Sequence, residues 1–255
     1  MITPPGRQVL LFAAGGIRFA LPLRAVHEIV KLPRGPGRPA PARSVPLATV
    51  LGLSGEPGFA LVLEGGSAGE LWIDELGGVA DLADAEVFRL PERSVGARPS
   101  PFAAALRFGD TLHLELAPLA LQDSRPVAWR TPARQGDLPA AERELVAERG
   151  GRSLAFPLSL VVQVIEPARP SPVPLAPRGH RGLLYHGRAI HPVWDAAALL
   201  GWPEVGEPSV TLLIDAGGTT AGVLVDRVRG VGEGSARDPV RRPHWDALLA
   251  PLEEG

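Results

Sequence analysis

The residues best placed to do chemistry lie in Leu213-Ile214-Asp215-Ala216-Gly217-Gly218-Thr219-Thr220-Ala221-Gly222-Val223-Leu224-Val225-Asp226. An aspartate can orient a metal or a water. Glycine amides and threonine hydroxyls just after it can cradle phosphate oxygens. The second candidate is the trio His180, His186 and His191. A metal site needs its ligands to converge, with further groups to orient them. Spacings of six and five place His180 and His186 on one strand face only if no turn intervenes, with His191 on the other. They therefore read as turn or solvated histidines, and no metal ligand is assigned. No Gly-x-Gly-x-x-Gly follows a strand pattern, and the sole lysine, Lys31, sits in no glycine loop. No catalytic residue is assigned.

These residues must be positioned by short strands broken by glycine turns. Val9–Phe12 and Arg18–Leu21 flank Gly15-Gly16, and Glu144–Ala147 and Ser153–Phe156 flank Gly150-Gly151. Both are hairpin patterns, because glycine accepts the positive φ of a tight turn. Leu23, Val26, Ile29 and Val30 have the spacing of a helical turn or two. Phe59–Leu63 with Glu70–Ile73, and Val210–Ile214 with Thr220–Val225, form further hairpins. Ala103–Phe108 and Thr111–Leu116 form another, in which Thr111, His113 and Glu115 alternate with Leu112, Leu114 and Leu116. That period of two predicts a half-buried strand with the polar set outward. Trp72 and Trp194, inside strand patterns, read as core or half-buried rather than as binding platforms. Gln122–Ala141 is polar, holds Pro126, Pro132 and Pro139, and reads as a linker. The pattern predicts an all-β fold with short helices.

Composition narrows the function. The net charge is −2, so no broad field points to nucleic acid or an anionic membrane. There is no cysteine, which excludes disulfides and thiolate metal sites and fits a reducing cytoplasm. No apolar run of ~18 residues exists, and the first residues lack the pattern of a signal peptide. The expectation is a cytoplasmic protein without cofactor or membrane insertion. Arginine dominates the cations and asparagine is absent, a bias that fits a GC-rich bacterial genome.

The chain also repeats itself. Gly15-Gly16-Ile17-Arg18-Phe19-Ala20-Leu21-Pro22-Leu23 returns 135 residues on as Gly150-Gly151-Arg152-Ser153-Leu154-Ala155-Phe156-Pro157-Leu158. Trp72-Ile73-Asp74-Glu75-Leu76-Gly77-Gly78-Val79 returns 152 residues on as Leu224-Val225-Asp226-Arg227-Val228-Arg229-Gly230-Val231. The two blocks keep their order, so two domain-sized units are expected: 1–121 and 142–255, joined by 122–141.

Each copy resembles the CheW-like domain, the adaptor fold of bacterial chemotaxis and related sensory arrays. The resemblance rests on the opening hairpin, on Arg181-Gly182-Leu183-Leu184-Tyr185-His186-Gly187-Arg188-Ala189-Ile190-His191-Pro192-Val193-Trp194-Asp195 with the Leu-Gly turn at 200–201, and on a strand spanning Leu224–Val231. It implies two tandem domains, each a pair of small SH3-like β-barrels. It implies a non-enzymatic scaffold that couples a CheA-type histidine kinase to chemoreceptors, with no small-molecule substrate. It places partner contacts at Tyr185, His186, Gly187 and Arg188, with His186 where the family usually has arginine. Copy one keeps only Val45–Gly52 of the middle block, so its strand pair is expected to be short. Copy two ends without a counterpart of the Ala103–Leu116 hairpin. Its tail, through Trp245, Leu248 and Leu249, is expected to cover the open core. The rival reading is a small nucleotide-binding protein, since the Asp215–Thr219 stretch is similar to the phosphate hairpin of sugar kinases and actin-like ATPases.

Overall fold

The computed structural model describes residues 8–32, 44–64, 69–91, 97–98, 100–117, 125–126, 143–203, 206–216, 218–233 and 240–249. The linker expected at 122–141 lies outside these, apart from 125 and 126. The chain forms two compact units, 1–90 with 95–127, and 128–255 with 91–94.

The first unit begins with β1 (Gln8–Ala14) and β2 (Ile17–Pro22), then a one-turn 3-10 helix and β3 (Val26–Lys31). It continues with β4 (Ser44–Pro46), α1 (Leu47–Val50), β5 (Phe59–Leu63), β6 (Glu70–Ile73), β7 (Glu75–Asp81) and β8 (Glu86–Phe88). It ends with β9 (Ala97–Arg98), β10 (Phe102–Phe108), β11 (Thr111–Leu116) and β12 (Arg125–Pro126). One sheet has the order β7-β1-β2-β11-β10-β8 and a second has the order β3-β5-β6-β4.

The second unit contains β13 (Arg143–Arg149), β14 (Arg152–Pro157), another 3-10 turn, β15 (Val161–Ile165), β16 (His180–His186) and β17 (Ala189–Asp195). After α2 (Ala196–Leu199) come β18 (Val210–Ala216), β19 (Thr219–Val225), β20 (Arg227–Glu233) and α3 (Trp245–Leu249). Its sheets are β14-β13-β20 and β15-β18-β19-β17-β16. The fold is all-β with short helices, built on two main sheets per unit, with a two-stranded β9-β12 ladder added in the first.

The sequence repeat is a repeat of strand pairing. β1 pairs with β7 from Gln8↔Asp81 to Ala13↔Glu75, with a bulge between Leu11 and Phe12. β13 pairs with β20 from Arg143↔Glu233 to Glu148↔Arg227, with its bulge between Val146 and Ala147. These are the same positions at the offsets of 135 and 152. The bulges at Val26/Glu28 and Val161/Gln163 also correspond.

The five-stranded sheet of the second unit is buried on both faces. Leu184, Val193, Leu213 and Leu224 fill the inside of its curl. Leu212, Ile214, Val223 and Val225 pack from the other face against Leu145, Leu154 and Phe156 of the three-stranded sheet. Gly222 leaves room for close packing of its neighbours: a Cβ there would come within 2.8 Å of Thr211 and 3.0 Å of Val193.

Three expectations need correction. Leu23–Val30 is not helical beyond the turn at Leu23–Ala25; from Val26 the chain becomes β3 and pairs with β5. The cross-strand ladder overrides the helical spacing. The motif spanning Leu224–Val231 is not one strand. It breaks at Asp226, and β19 and β20 belong to different sheets. His113 does not face outward with Thr111 and Glu115; it is buried against the Phe108 ring, 5.6 Å between centroids. Burial first, and the nearby Arg18 charge second, push its pKa below the ordinary value. In the first unit β4 stands where the end of β17 stands in the second, parallel to β6 as β17 is to β19; the residues before it, 33–43, lie outside the described set.

In the first unit β2 takes β11 as a parallel neighbour, Phe19↔Leu114. In the second unit the matching residue, Leu154, makes a parallel bridge to Arg241 instead. The Ala155 amide donates to the Arg241 carbonyl at 2.9 Å. Trp245 then stacks on Phe156 at 4.2 Å, and its indole N–H donates to the Ala155 carbonyl at 3.0 Å. Trp245 and Leu249 are buried in the core, and Leu248 packs against it. The Arg242 guanidinium grips the buried Glu144 carboxylate at 3.0 Å. The tail occupies the place that the last hairpin takes in the first unit.

Candidate functional site

The hairpin of β16 and β17 carries the four residues expected to meet a partner. His186 pairs with Ala189 across a two-residue turn. Gly187 has φ 59 and Arg188 φ 63. Positive φ at both central residues matches the right-handed twist of the flanking strands. Glycine does this freely, whereas a left-handed arginine costs ~1–2 kcal/mol. Gly187 and Arg188 are exposed at the tip; Tyr185 and His186 are half-buried. His186 Nε2 donates to Gln163 Oε1 of β15 at 2.7 Å, and His191 Nε2 donates to the His186 carbonyl at 3.2 Å.

β15 and β16 are the two ends of the five-stranded sheet. The His186–Gln163 bond therefore joins the open edges of one curled sheet. On the same β15, Val162 and Val164 are 59% and 43% exposed. The tip thus presents a guanidinium, a phenol, an imidazole and two exposed valines on neighbouring strands. Such a set can bind by shape, apolar contact and charge.

Behind this hairpin lies a buried charge cluster that sequence reasoning missed. Arg149, at the end of β13, is fully buried. It donates to Asp195 Oδ1 from Nε at 2.9 Å and to Asp195 Oδ2 at 2.8 Å. It also donates to Asp226 Oδ1 at 2.8 Å and to the Gly206 carbonyl at 3.3 Å. Arg181 of β16 donates to Asp195 Oδ2 at 2.8 Å. The pairing of β16 with β17 shifts register between His180 and Gly182, so Arg181 sits in a bulge, a device that re-aims a side chain. Asp195 Oδ1 also caps α2 by accepting from the Ala197 amide at 2.9 Å. Burial by itself pushes the Asp195 carboxyl up. Hydrogen bonds from Arg149, Arg181 and the Ala197 amide, with the Arg149 charge, outweigh it and hold the pKa below its ordinary value. The same bonds raise Arg149 further.

One signal could have disclosed the cluster. By the pairing register, Arg149 stands where the first unit has Ala14, and Asp195 where it has Pro46. Opposite charges appear together at two core positions that are uncharged in the other copy. The third member is shared: Asp74 accepts from the Gly15 amide at 2.7 Å, and Asp226 from the Gly150 amide at 2.7 Å.

The other candidates do not converge. His180 packs edge-on against Trp194 at 5.0 Å, and burial pushes its pKa down to about 3. Among the described residues no group of three or more His, Cys, Asp or Glu is placed to hold a metal ion. Asp215 is exposed and pairs with Thr220, and Ala216 pairs with Thr219. Gly218 has φ 81, as a tight turn between β18 and β19 needs; Gly217 lies outside the described residues.

Residues 145–244 match the family model of the CheW-like domain. No curated protein matches the chain. Among solved structures it is similar to the scaffolding protein TtCheW from Thermoanaerobacter tengcongensis, with 21% identity and a TM-score of 0.34. The likeness covers 38% of this chain and 66% of that one, just under two thirds of its length.

Proposed function

We propose, from the premise that residues 145–244 form a CheW-like domain, that this chain is a scaffold in a bacterial chemosensory pathway. CheW-like domains are a non-enzymatic scaffold family of chemotaxis. The finer reading is that the second unit binds a CheA-type histidine kinase or a chemoreceptor through Tyr185, His186, Gly187 and Arg188, in the cytoplasm. The observation that carries it is Arg188 held at φ 63 at an exposed hairpin tip. Glycine would serve that turn better, which singles out the exposed Arg188 side chain as a contact group. A doubled domain on one chain also raises effective concentration or bridges two partners.

The experiment is capture from the source cells with mass-spectrometric identification, followed by titration of the purified partner. The expected outcome is a CheA-type kinase or a chemoreceptor. His186→Ala with Arg188→Ala then weakens binding by about 1–3 kcal/mol with little change in melting temperature. Unchanged binding, or a collapsed fold, counts against these residues. The nucleotide reading is tested in parallel: ATP with Mg²⁺ stabilises a nucleotide binder through ligand linkage and leaves a scaffold's melting curve in place.

A further inference from the structure

β16 has only one ladder neighbour, β17, since it ends the five-stranded sheet. An edge strand is the part of a sheet most free to open locally. Three features hold it. Ser171 and Leu183 exchange backbone bonds of 2.8 Å. The His186–Gln163 bond ties its far end to β15. The bulged Arg181 ties its near end to Asp195, whose carboxylate is oriented by the two-pronged grip of Arg149. Arg149 itself is fixed by Asp226 and the Gly206 carbonyl, so the anchor reaches β13, the β19–β20 junction and the start of α2. In the first unit the residues matching Arg149 and Asp195 are Ala14 and Pro46, and the described part of its second sheet has four strands ending at β4. The charges accompany the fifth strand.

We infer that Arg149 and Arg181 are positioning residues for the partner hairpin: acting through Asp195, they fix β16 so that the Tyr185–Arg188 tip is preorganised for binding. This rests on the proposed role of that tip. A preorganised loop loses less conformational freedom on association, and so binds more tightly with no added contact. Asp195 cannot be replaced in this role by a general attraction, because two arginines and one amide share its two oxygens in a fixed geometry.

The test uses the full chain and compares Arg181→Met, Arg149→Met with Asp195→Asn, and the tip variant Arg188→Ala, which leaves the His186–Gln163 tether in place. Arg181→Met cuts the tether of β16 to Asp195. The pair of changes at 149 and 195 removes both buried charges together and keeps a side-chain cap for α2. Two quantities are read: amide hydrogen exchange across 183–190, with β18 and β19 as internal controls, and affinity for the captured kinase or receptor. The expected result is about tenfold faster exchange at 183–190 with the controls unchanged, and about tenfold weaker binding. A purely structural role would move the controls as well. If the pair of changes unfolds the unit, Arg181→Met decides alone. Unchanged exchange at 183–190 in Arg181→Met overturns the inference. So does faster exchange with full affinity while the tip variant loses affinity. If the tip variant also keeps full affinity, the proposed role of the tip fails, and with it the positioning of that tip for binding.

Discussion

A guanidinium with no exposed surface is the most consequential side chain of the second unit. Arg149→Ala removes the cation and leaves Asp195 buried with Arg181 alone, so it should destabilise the fold by about 3–5 kcal/mol in urea unfolding. Removing both charges should cost far less, because an uncompensated buried charge dominates the penalty. His180 makes a second prediction at this scale. Its pKa is about 3 in the fold and ~6.5 in the unfolded chain. Between those values the unfolded state binds more protons, so stability rises with pH across the window and is lost as pH falls from ~6.5 toward 3. Asp195 acts only lower down. Its stabilisation is present above the ordinary carboxylate range and disappears as pH drops through its depressed value. His180→Phe should therefore flatten the slope of the urea midpoint between about pH 4.5 and 6.5. An unchanged slope would assign that acid sensitivity elsewhere.

Among the elements, the tail is the one whose loss changes the architecture most. Trp245 lies against Phe156, and Arg242 neutralises Glu144 at the position where the first unit has the buried Val9. Deleting residues 243–255 keeps the Arg241 bridge to β14 but removes Trp245 and Leu249 and uncovers part of the core. The second unit should lose stability and the protein should dimerise or aggregate, read by melting curves and light scattering. A monomer with an unchanged melting curve would mean that another segment closes the core. Trp245→Ala alone should cost about 3–5 kcal/mol, since it empties a stacked, fully buried site.

At the scale of the whole chain, two units that each have a complete core should be separable. The proposed boundary within 122–141 places Arg130 and Arg134 in the linker, whereas Arg125 lies in β12, paired with Arg98, and precedes a proline that blocks trypsin. Trypsin at limiting amounts should cut there first and leave two resistant fragments, because connecting segments with few contacts open most readily. First cuts inside 10–116 would refute the boundary.

The sequence by itself determined the strands, the hairpin turns and the doubling. Each is written in local patterns: paired glycines at 15–16 and 150–151, alternation through 111–116, and blocks that return at fixed offsets. A local pattern states which residues are extended, not what they are extended against. That is why Leu23–Val30 carries a helical spacing yet becomes a turn and a strand: the β5 edge beside it decides. His113 alternates as if outward and is buried, because the Phe108 ring of the adjacent strand β10 packs against it. The tertiary structure alone decided that Arg149, Asp195, Asp226 and Arg181 share one site. They are separated by up to 77 residues between Arg149 and Asp226, and no spacing rule joins them. Only burial makes them meet, since a charge removed from water must find its counter-charge wherever the fold places one.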